Sequence, residues 1–195
     1  MKSDIILSGV GGQGILSIAT IIGFAALESG HFLKQAEVHG MSQRGGAVQS
    51  HLRISDKEIA SDLIPKGDAD LILSVEPMES LRYLPYLKPN GWLVTNIQPF
   101  INIPDYPPLD TLLAEILKIK NHVSVNADEI AHTLGSARSS NIVILGAACR
   151  FITLPEVTLI DAITKIFERK GKSVVDINIK AFMEGKRAGE IYQLQ

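Results

Sequence analysis

A glycine-rich stretch near the start of the chain has the spacing with the clearest chemical meaning. Gly9, Gly11 and Gly14 form a Gly-x-Gly-x-x-Gly pattern between a short apolar run and a longer apolar segment. Backbone N–H groups of such a turn attract anions at the start of a helix, as in dinucleotide sites. Glu37 follows Gly14 by 23 residues, close to the position of a ribose-binding acid. The same glycines also suit a tight turn that packs a helix on a strand, so the pattern alone leaves both interpretations open. The candidate anion-binding or packing turn consists of Gly9, Gly11, Gly12, Gln13 and Gly14.

A second group of polar residues lies between Glu37 and Gly46. Arg44 is followed by two glycines, which would let its guanidinium approach a carboxylate or a phosphate with little backbone in the way. A solvated loop before a strand is the simpler interpretation of the same residues. The candidate loop facing a partner or an active site consists of Glu37, His39, Gln43, Arg44, Gly45 and Gly46.

The sequence contains few residues that could catalyse a reaction or bind a metal by themselves. Cys149 is the only cysteine, so the chain alone cannot supply the four thiolates that iron–sulfur clusters usually need. The five histidines lack the paired spacing of a zinc site, and we find no arrangement of a nucleophile with a base. We therefore predict no catalytic residue, no metal ligand and no cofactor bound by this chain alone.

Charge and hydropathy exclude other classes of partner. The 195 residues have a net charge of -2, so there is no basic surface field to predict nucleic-acid binding. The longest apolar run, residues 15–27, is shorter than the roughly 20 residues needed to span a bilayer. The start of the chain has no signal-peptide pattern. We predict a cytoplasmic protein without membrane contact.

Strand-like and helix-like segments alternate along the chain. Residues 47–55 alternate apolar and polar side chains, as a half-buried strand does, and residues 76–87 begin like a helix with Pro77 near the first turn. Residues 98–109 hold four of the nine prolines and predict a surface excursion, and the last helix is predicted to start at Asn178. This order predicts an α/β, Rossmann-like fold with a mostly parallel sheet, flanking helices and a C-terminal helical part, all in one domain over residues 1–195.

Several of these segments together resemble a known family. The opening Gly9–Gly14, the acid followed by Arg44-Gly45-Gly46, and the segments Asn141–Ala147 and 177–189 resemble the gamma-type domain of the 2-oxoacid:ferredoxin oxidoreductases. The resemblance covers about residues 4–190. Many relatives have Tyr-Gly before the acid and Arg-Gly-Gly of this loop. The order from Glu37 to Arg44 here differs, and it is most similar to the small (beta) subunits of the indolepyruvate branch rather than to the pyruvate branch.

The resemblance implies that the cofactors of the reaction lie on a different subunit from this chain. Enzymes of this family decarboxylate 2-oxoacids oxidatively with coenzyme A as co-substrate and pass electrons to ferredoxin. Thiamine diphosphate, magnesium and 4Fe-4S clusters would then lie on a large partner subunit, and this chain would complete the complex. Whether the isolated chain forms a homodimer through its partner-facing surface stays open.

One alternative belongs to another class. A stand-alone dinucleotide-binding protein would place NAD or FAD on Gly9–Gly14 and the ribose on Glu37. Coenzyme A or another phosphate compound at the same turn is a third interpretation, since such a turn attracts anions generally. The loop after Glu37 favours the oxidoreductase subunit, because it assigns that acid to a second motif.

Overall fold

Across the described residues, the central sheet has six strands, and apolar side chains of its middle strands are buried on both faces. The computed structural model describes residues 1–39 and 45–192, except for the side chain of His39. The strands are β1 (Lys2–Val10), β2 (Phe32–His39), β3 (Ala47–Ser55), β4 (Ala69–Ser74), β5 (Leu87–Asn96) and β6 (His122–Val125). Their order across the sheet is β2-β3-β1-β4-β5-β6.

Strand β3 runs opposite to the other five strands of the sheet. Strands β1, β4, β5 and β6 are paired in parallel, whereas β3 is antiparallel to both of its neighbours, β1 and β2. Strand β2 therefore points the same way as β1, but one strand separates them. The predicted mostly parallel α/β sheet is confirmed, with this antiparallel insertion at one side.

Helices cover both faces of the sheet. They are α1 (Ile15–Glu28), α2 (Pro77–Arg82), α3 (Leu109–Leu117), α4 (Ala127–Thr133), α5 (Ser140–Ala148), α6 (Glu156–Phe167) and α7 (Lys172–Tyr192). Helices α1 and α4–α7 share the larger core with Ile5 and Leu7 of β1, and α3 packs on the other face against Ile6. The strongly apolar α1 is covered by the sheet on one side and by α6 on another, which explains its lack of a polar face.

Helices α5 and α7 approach each other backbone to backbone. A Cβ atom added to Gly146 would lie 2.0 Å from the Phe182 carbonyl oxygen, and one added to Gly185 would lie 1.9 Å from that of Val143. Helix α7 begins at Lys172, so the predicted start at Asn178 is wrong. Val175, in the first turn, is already buried, which means that the packed part of the helix begins before Asn178.

The helices of the described residues differ from membrane spans in length or in apolar character. Across residues 1–39 and 45–192, every helix is too short or too polar to cross a bilayer.

Candidate functional site

The two glycine motifs of the sequence lie against each other. The Gly11 N–H donates to the Gly46 carbonyl oxygen at 2.8 Å, and the Gly45 N–H donates to the Gly11 carbonyl oxygen at 3.3 Å. These bonds continue the β1–β3 ladder, in which Val10 pairs with Ala47. The turn and the end of the second loop therefore form one backbone unit at the carboxyl end of β1.

The side chain of Gln13 braces the turn from inside. Its Oε1 accepts a hydrogen bond from the Val10 N–H at 2.8 Å, and its Nε2 donates to the Val75 carbonyl oxygen at 3.4 Å. A Cβ atom on Gly9 would lie 2.4 Å from Cγ2 of Val75, so glycine is needed there for close approach of β4. These contacts give Gly9 and Gln13 a role in packing.

The helix start is held by a residue from another part of the chain. Asn141, at the start of α5, donates from Nδ2 to the Gly14 carbonyl oxygen at 3.0 Å. Gly14 has a φ of 82°, and a Cβ atom on it would lie 2.5 Å from Nδ2 of Asn141. The turn at the start of α1 and the Asn141–Ala147 segment, both noted in the sequence, are therefore direct neighbours.

A cavity opens on the outer side of the turn. Its volume is about 630 Å³, and its wall combines the turn with polar residues before α5 and apolar residues of α6 and α7. The exposed side chains of Arg138 and Lys170 are its cationic members. The N-terminal end of α1 lines the same cavity as these two cations, and a helix N-terminus also favours negative charge.

Glu37 does not occupy the position of a ribose-binding acid beside β1. It pairs with Ser50 of β3, and β3 separates it from β1. In a dinucleotide fold the second strand lies directly beside the first, so that its terminal acid reaches the ribose. His39 continues β2 opposite Val48, whereas Gln43 and Arg44 lie outside the described residues.

A buried carboxylate at the end of β4 is a further polar centre that the sequence analysis missed. Glu76 is fully buried and caps α2, since its Oε2 accepts a hydrogen bond from the Glu79 N–H at 2.8 Å. Its Oε1 accepts hydrogen bonds from the Tyr106 hydroxyl and, at 3.4 Å, from the Phe100 N–H. Burial and the bond to Glu76 raise the pKa of Tyr106, so its hydroxyl keeps the proton that it donates. The acid directly before Pro77, at a strand–helix junction, is the sequence signal for this residue.

Asn96 ties together the ends of β4, β5 and β6. Its Nδ2 donates to Oδ2 of Asp128 at 2.7 Å and to the Val75 carbonyl oxygen at 3.3 Å, and its Oδ1 accepts from the Ala127 N–H at 3.0 Å. Asp128 therefore helps to hold this junction, besides standing in the first turn of α4.

The described part of the chain does not suit metal binding. Its residues include no group of three or more histidine, cysteine or acidic side chains placed to hold a metal ion. Cys149 is buried, and burial raises its pKa to about 11, which keeps it a thiol at neutral pH.

Comparison with known proteins finds relatives that match nearly the whole chain. The model of the family "Pyruvate ferredoxin/flavodoxin oxidoreductase" matches residues 4–188. The indolepyruvate oxidoreductase subunit IorB of Archaeoglobus fulgidus is 37% identical over 193 residues, which are 95% of this chain and 94% of that protein. The subunit IorB of Pyrococcus horikoshii is 35% identical and covers 96% of both chains.

Solved structures share the fold. The gamma subunit of a keto/oxoacid ferredoxin oxidoreductase from Geobacter sulfurreducens has a TM-score of 0.70 and 25% identity, covering 97% of this chain and 99% of that one. A 2-oxoglutarate:ferredoxin oxidoreductase from Magnetococcus marinus, solved with 2-oxoglutarate, coenzyme A and succinyl-CoA, has a TM-score of 0.78 at 21% identity. The match covers 97% of this chain and 31% of that longer chain.

Proposed function

This chain belongs to the pyruvate ferredoxin/flavodoxin oxidoreductase family, and we propose that it is the small subunit of an indolepyruvate-type 2-oxoacid:ferredoxin oxidoreductase. The near full-length similarity to IorB subunits supports this branch. Residues 1–195 would act as one gamma-type domain, in a cytoplasmic complex that converts aryl 2-oxoacids to acyl-CoA.

The observation that carries the proposal is the joining of the two glycine motifs. The hydrogen bonds between Gly11 and the pair Gly45 and Gly46 hold the residue after Arg44 at the carboxyl edge of the sheet. Ligands of open α/β sheets bind at this edge. We therefore assign the loop of Glu37 to Gly46 to the contact with the partner near its active site, and Arg44 to the pairing with an acid or a substrate carboxylate.

The oxidative chemistry would lie on the partner. A large subunit would hold thiamine diphosphate, magnesium and the 4Fe-4S clusters, and would deliver electrons to ferredoxin. The single cysteine of the chain, Cys149, is buried with a raised pKa and does not suit cluster ligation. Coenzyme A would enter as co-substrate, as its presence in the Magnetococcus marinus structure suggests for that relative.

The test is the Arg44→Ala variant in the complex reconstituted with its large subunit. Loss of a charge-assisted hydrogen bond should reduce kcat/KM by about tenfold or more. Arg44→Lys should recover only part of the activity, because lysine lacks the planar fork. The control is Arg187→Ala, which removes an exposed arginine of α7.

Two results would contradict the proposal. One is unchanged activity of the Arg44→Ala complex, with the melting temperature of the isolated chain also unchanged. The other is micromolar binding of NAD, NADP or FAD by the isolated chain in calorimetric titration, which would favour a stand-alone dinucleotide protein. Sedimentation of the same isolated sample measures whether the chain dimerises without its partner.

A further inference from the structure

The proline-rich excursion, residues 98–108, is attached to the sheet by polar contacts. It leaves the end of β5 and forms no helix or strand. Its large apolar side chains are only partly buried, since Phe100, Ile101 and Ile103 are 43%, 72% and 40% exposed. The position of this segment therefore depends in part on its hydrogen bonds.

The anchor of the excursion is the buried carboxylate of Glu76. The Phe100 N–H and the Tyr106 hydroxyl both donate to the same oxygen, Oε1. These two donors lie near the two ends of the excursion, so a single fixed acceptor holds the segment as a closed loop. Glu76 is itself fixed, because its other oxygen caps α2.

The middle of the excursion reaches the second glycine motif. Asn102 donates from Nδ2 to the Gly45 carbonyl oxygen at 2.7 Å, across 57 residues of sequence. The Oδ1 atom of Asn102 is buried and has no hydrogen-bond partner among the described residues.

The contact continues to the glycine turn. Gly45 accepts from Asn102 through its carbonyl oxygen and donates through its N–H to the Gly11 carbonyl oxygen. Gly45 has a φ of 77°, a conformation that glycine adopts without strain and that offers little resistance to change by itself. The hydrogen bonds of Gly45 to Asn102 and Gly11 therefore contribute to its restraint, beside the bond that the Gly46 carbonyl oxygen accepts from the Gly11 N–H.

We propose that Asn102 is a positioning residue, which holds Gly45 and thereby fixes where Gly45 and Gly46 join β3, with Glu76 as the anchor of the excursion. The restraint on Gly45 is independent of the proposed function. Only its consequence for turnover rests on the assignment of that loop to the partner's active site.

The restraint is tested by hydrogen exchange in the isolated full-length chain. Asn102→Ala and the isosteric Asn102→Asp both remove the donor to Gly45. Exchange of the Gly11 and Gly45 amides should accelerate about fivefold, as expected for the loss of one hydrogen bond. Asn102→Gln keeps an amide donor and should restore part of the protection. Tyr106→Phe should give a smaller acceleration at the same amides, because the Phe100 contact to Glu76 remains.

The matched control is Thr158→Ala. It removes a side-chain to backbone hydrogen bond, from Oγ1 to the Pro155 carbonyl oxygen at 2.7 Å, at the start of α6. Its Gly11 and Gly45 amides should exchange as in the parent chain. Parent-like exchange at both amides in Asn102→Ala and in Asn102→Asp would overturn the proposal.

Turnover of the complex separates this inference from the proposed function. Accelerated exchange together with a fall in kcat, recovered by Asn102→Gln, supports both. Accelerated exchange with parental kcat and KM supports the positioning role of Asn102 and contradicts the assignment of the loop to the active site.

Discussion

The carboxyl edge of the sheet and the contact between α5 and α7 are held together by opposite means. At the edge, where β1, β4, β5 and β6 end, buried polar side chains such as Glu76 and Asn96 bind backbone groups of several segments. Between the two helices, Gly146 and Gly185 let backbone meet backbone without room for a methyl group.

Because of this difference, the polar edge of the sheet can adjust to a substitution, whereas the contact between α5 and α7 is rigid. A hydrogen bond to a side chain can be weakened by substitution while the surrounding backbone keeps its path, so the edge can lose one contact at a time. A backbone contact between helices has no such intermediate, because an added atom must separate the helices. The candidate site lies at the carboxyl edge of the sheet, whereas the contact between α5 and α7 belongs to the core that these helices share with α1.

The strongest test of the rigid region is Gly185→Ala. The new Cβ atom would lie 1.9 Å from the Val143 carbonyl oxygen, so α7 must move away from α5. We expect the free energy of unfolding in urea to fall by about 3 kcal/mol, although alanine has the higher helix propensity. Glu184→Ala, an exposed change at the neighbouring position of α7, should stay within about 0.5 kcal/mol of the parent. Equal stability of both variants would contradict the rigid packing of the two helices.

An intermediate effect is expected from Asn96→Ala at the edge. The substitution removes an almost fully buried amide and leaves the buried Ala127 N–H and the side chain of Asp128 without this partner. The free energy of unfolding should fall by about 2 kcal/mol.

The matched control for Asn96 comes from α7. Asn178 is also buried, but among the described residues its Nδ2 donates only to the Val174 carbonyl oxygen of its own helix, at 2.8 Å. Asn178→Ala should therefore lower stability by no more than about 1 kcal/mol. If urea unfolding gave the larger loss for Asn178→Ala, the edge would not owe its order to its polar side chains.

The smallest expected effect is a pH dependence of the free energy of unfolding, caused by Glu79, whose backbone N–H donates to the Glu76 side chain. Burial raises the pKa of Glu79 above its ordinary value of 4.5, against the opposing effect of Arg82, which contacts its Oε2 at 2.9 Å. Between pH 4.5 and the raised pKa, the folded chain holds a proton that the unfolded chain has lost. Stability from this group therefore falls as pH rises through that window.

Glu79→Gln should remove this dependence. The stability of the variant relative to the parent should rise with pH above 4.5, by at most about 1.4 kcal/mol per pH unit, and then level off. Urea unfolding between pH 4 and 7 measures the difference. Glu115→Gln, at an exposed carboxylate of α3, serves as the control for the same change of side chain outside this site. Parallel curves for Glu79→Gln and the parent would contradict the raised pKa.

Local signals in the sequence predict the elements well where one segment contains the whole cause. Asn126, a residue type favoured at helix starts, caps α4 through the Glu129 N–H, and Pro77 stands in the first turn of α2, as expected. Gly30, with a φ of 74°, follows the end of α1, where glycine adopts the left-handed conformation without strain. The alternation in residues 47–55 corresponds to β3. Each of these features depends on residues within a few positions of one another, so a local pattern is sufficient to predict it.

Contacts between distant segments escape such patterns. The position of β3 between β2 and β1 is decided by pairing across the sheet, and it moves Glu37 away from the first strand. Glu76 meets Tyr106 across 30 residues, and Asn102 meets Gly45 across 57. No periodicity marks such partners, because neither residue is unusual in its own segment.

The sequence by itself therefore determined the α/β class, most strands and helices, and, through its motifs, the family. Apolar periodicity, turn glycines and capping residues act over short distances, and they are present in the chain before it folds. Only the tertiary structure decided that the glycine turn meets Gly45 and Gly46, that a strand separates Glu37 from β1, and that a buried carboxylate anchors the proline-rich excursion. Those outcomes depend on which backbone groups and buried polar atoms come together when the sheet closes and excludes water.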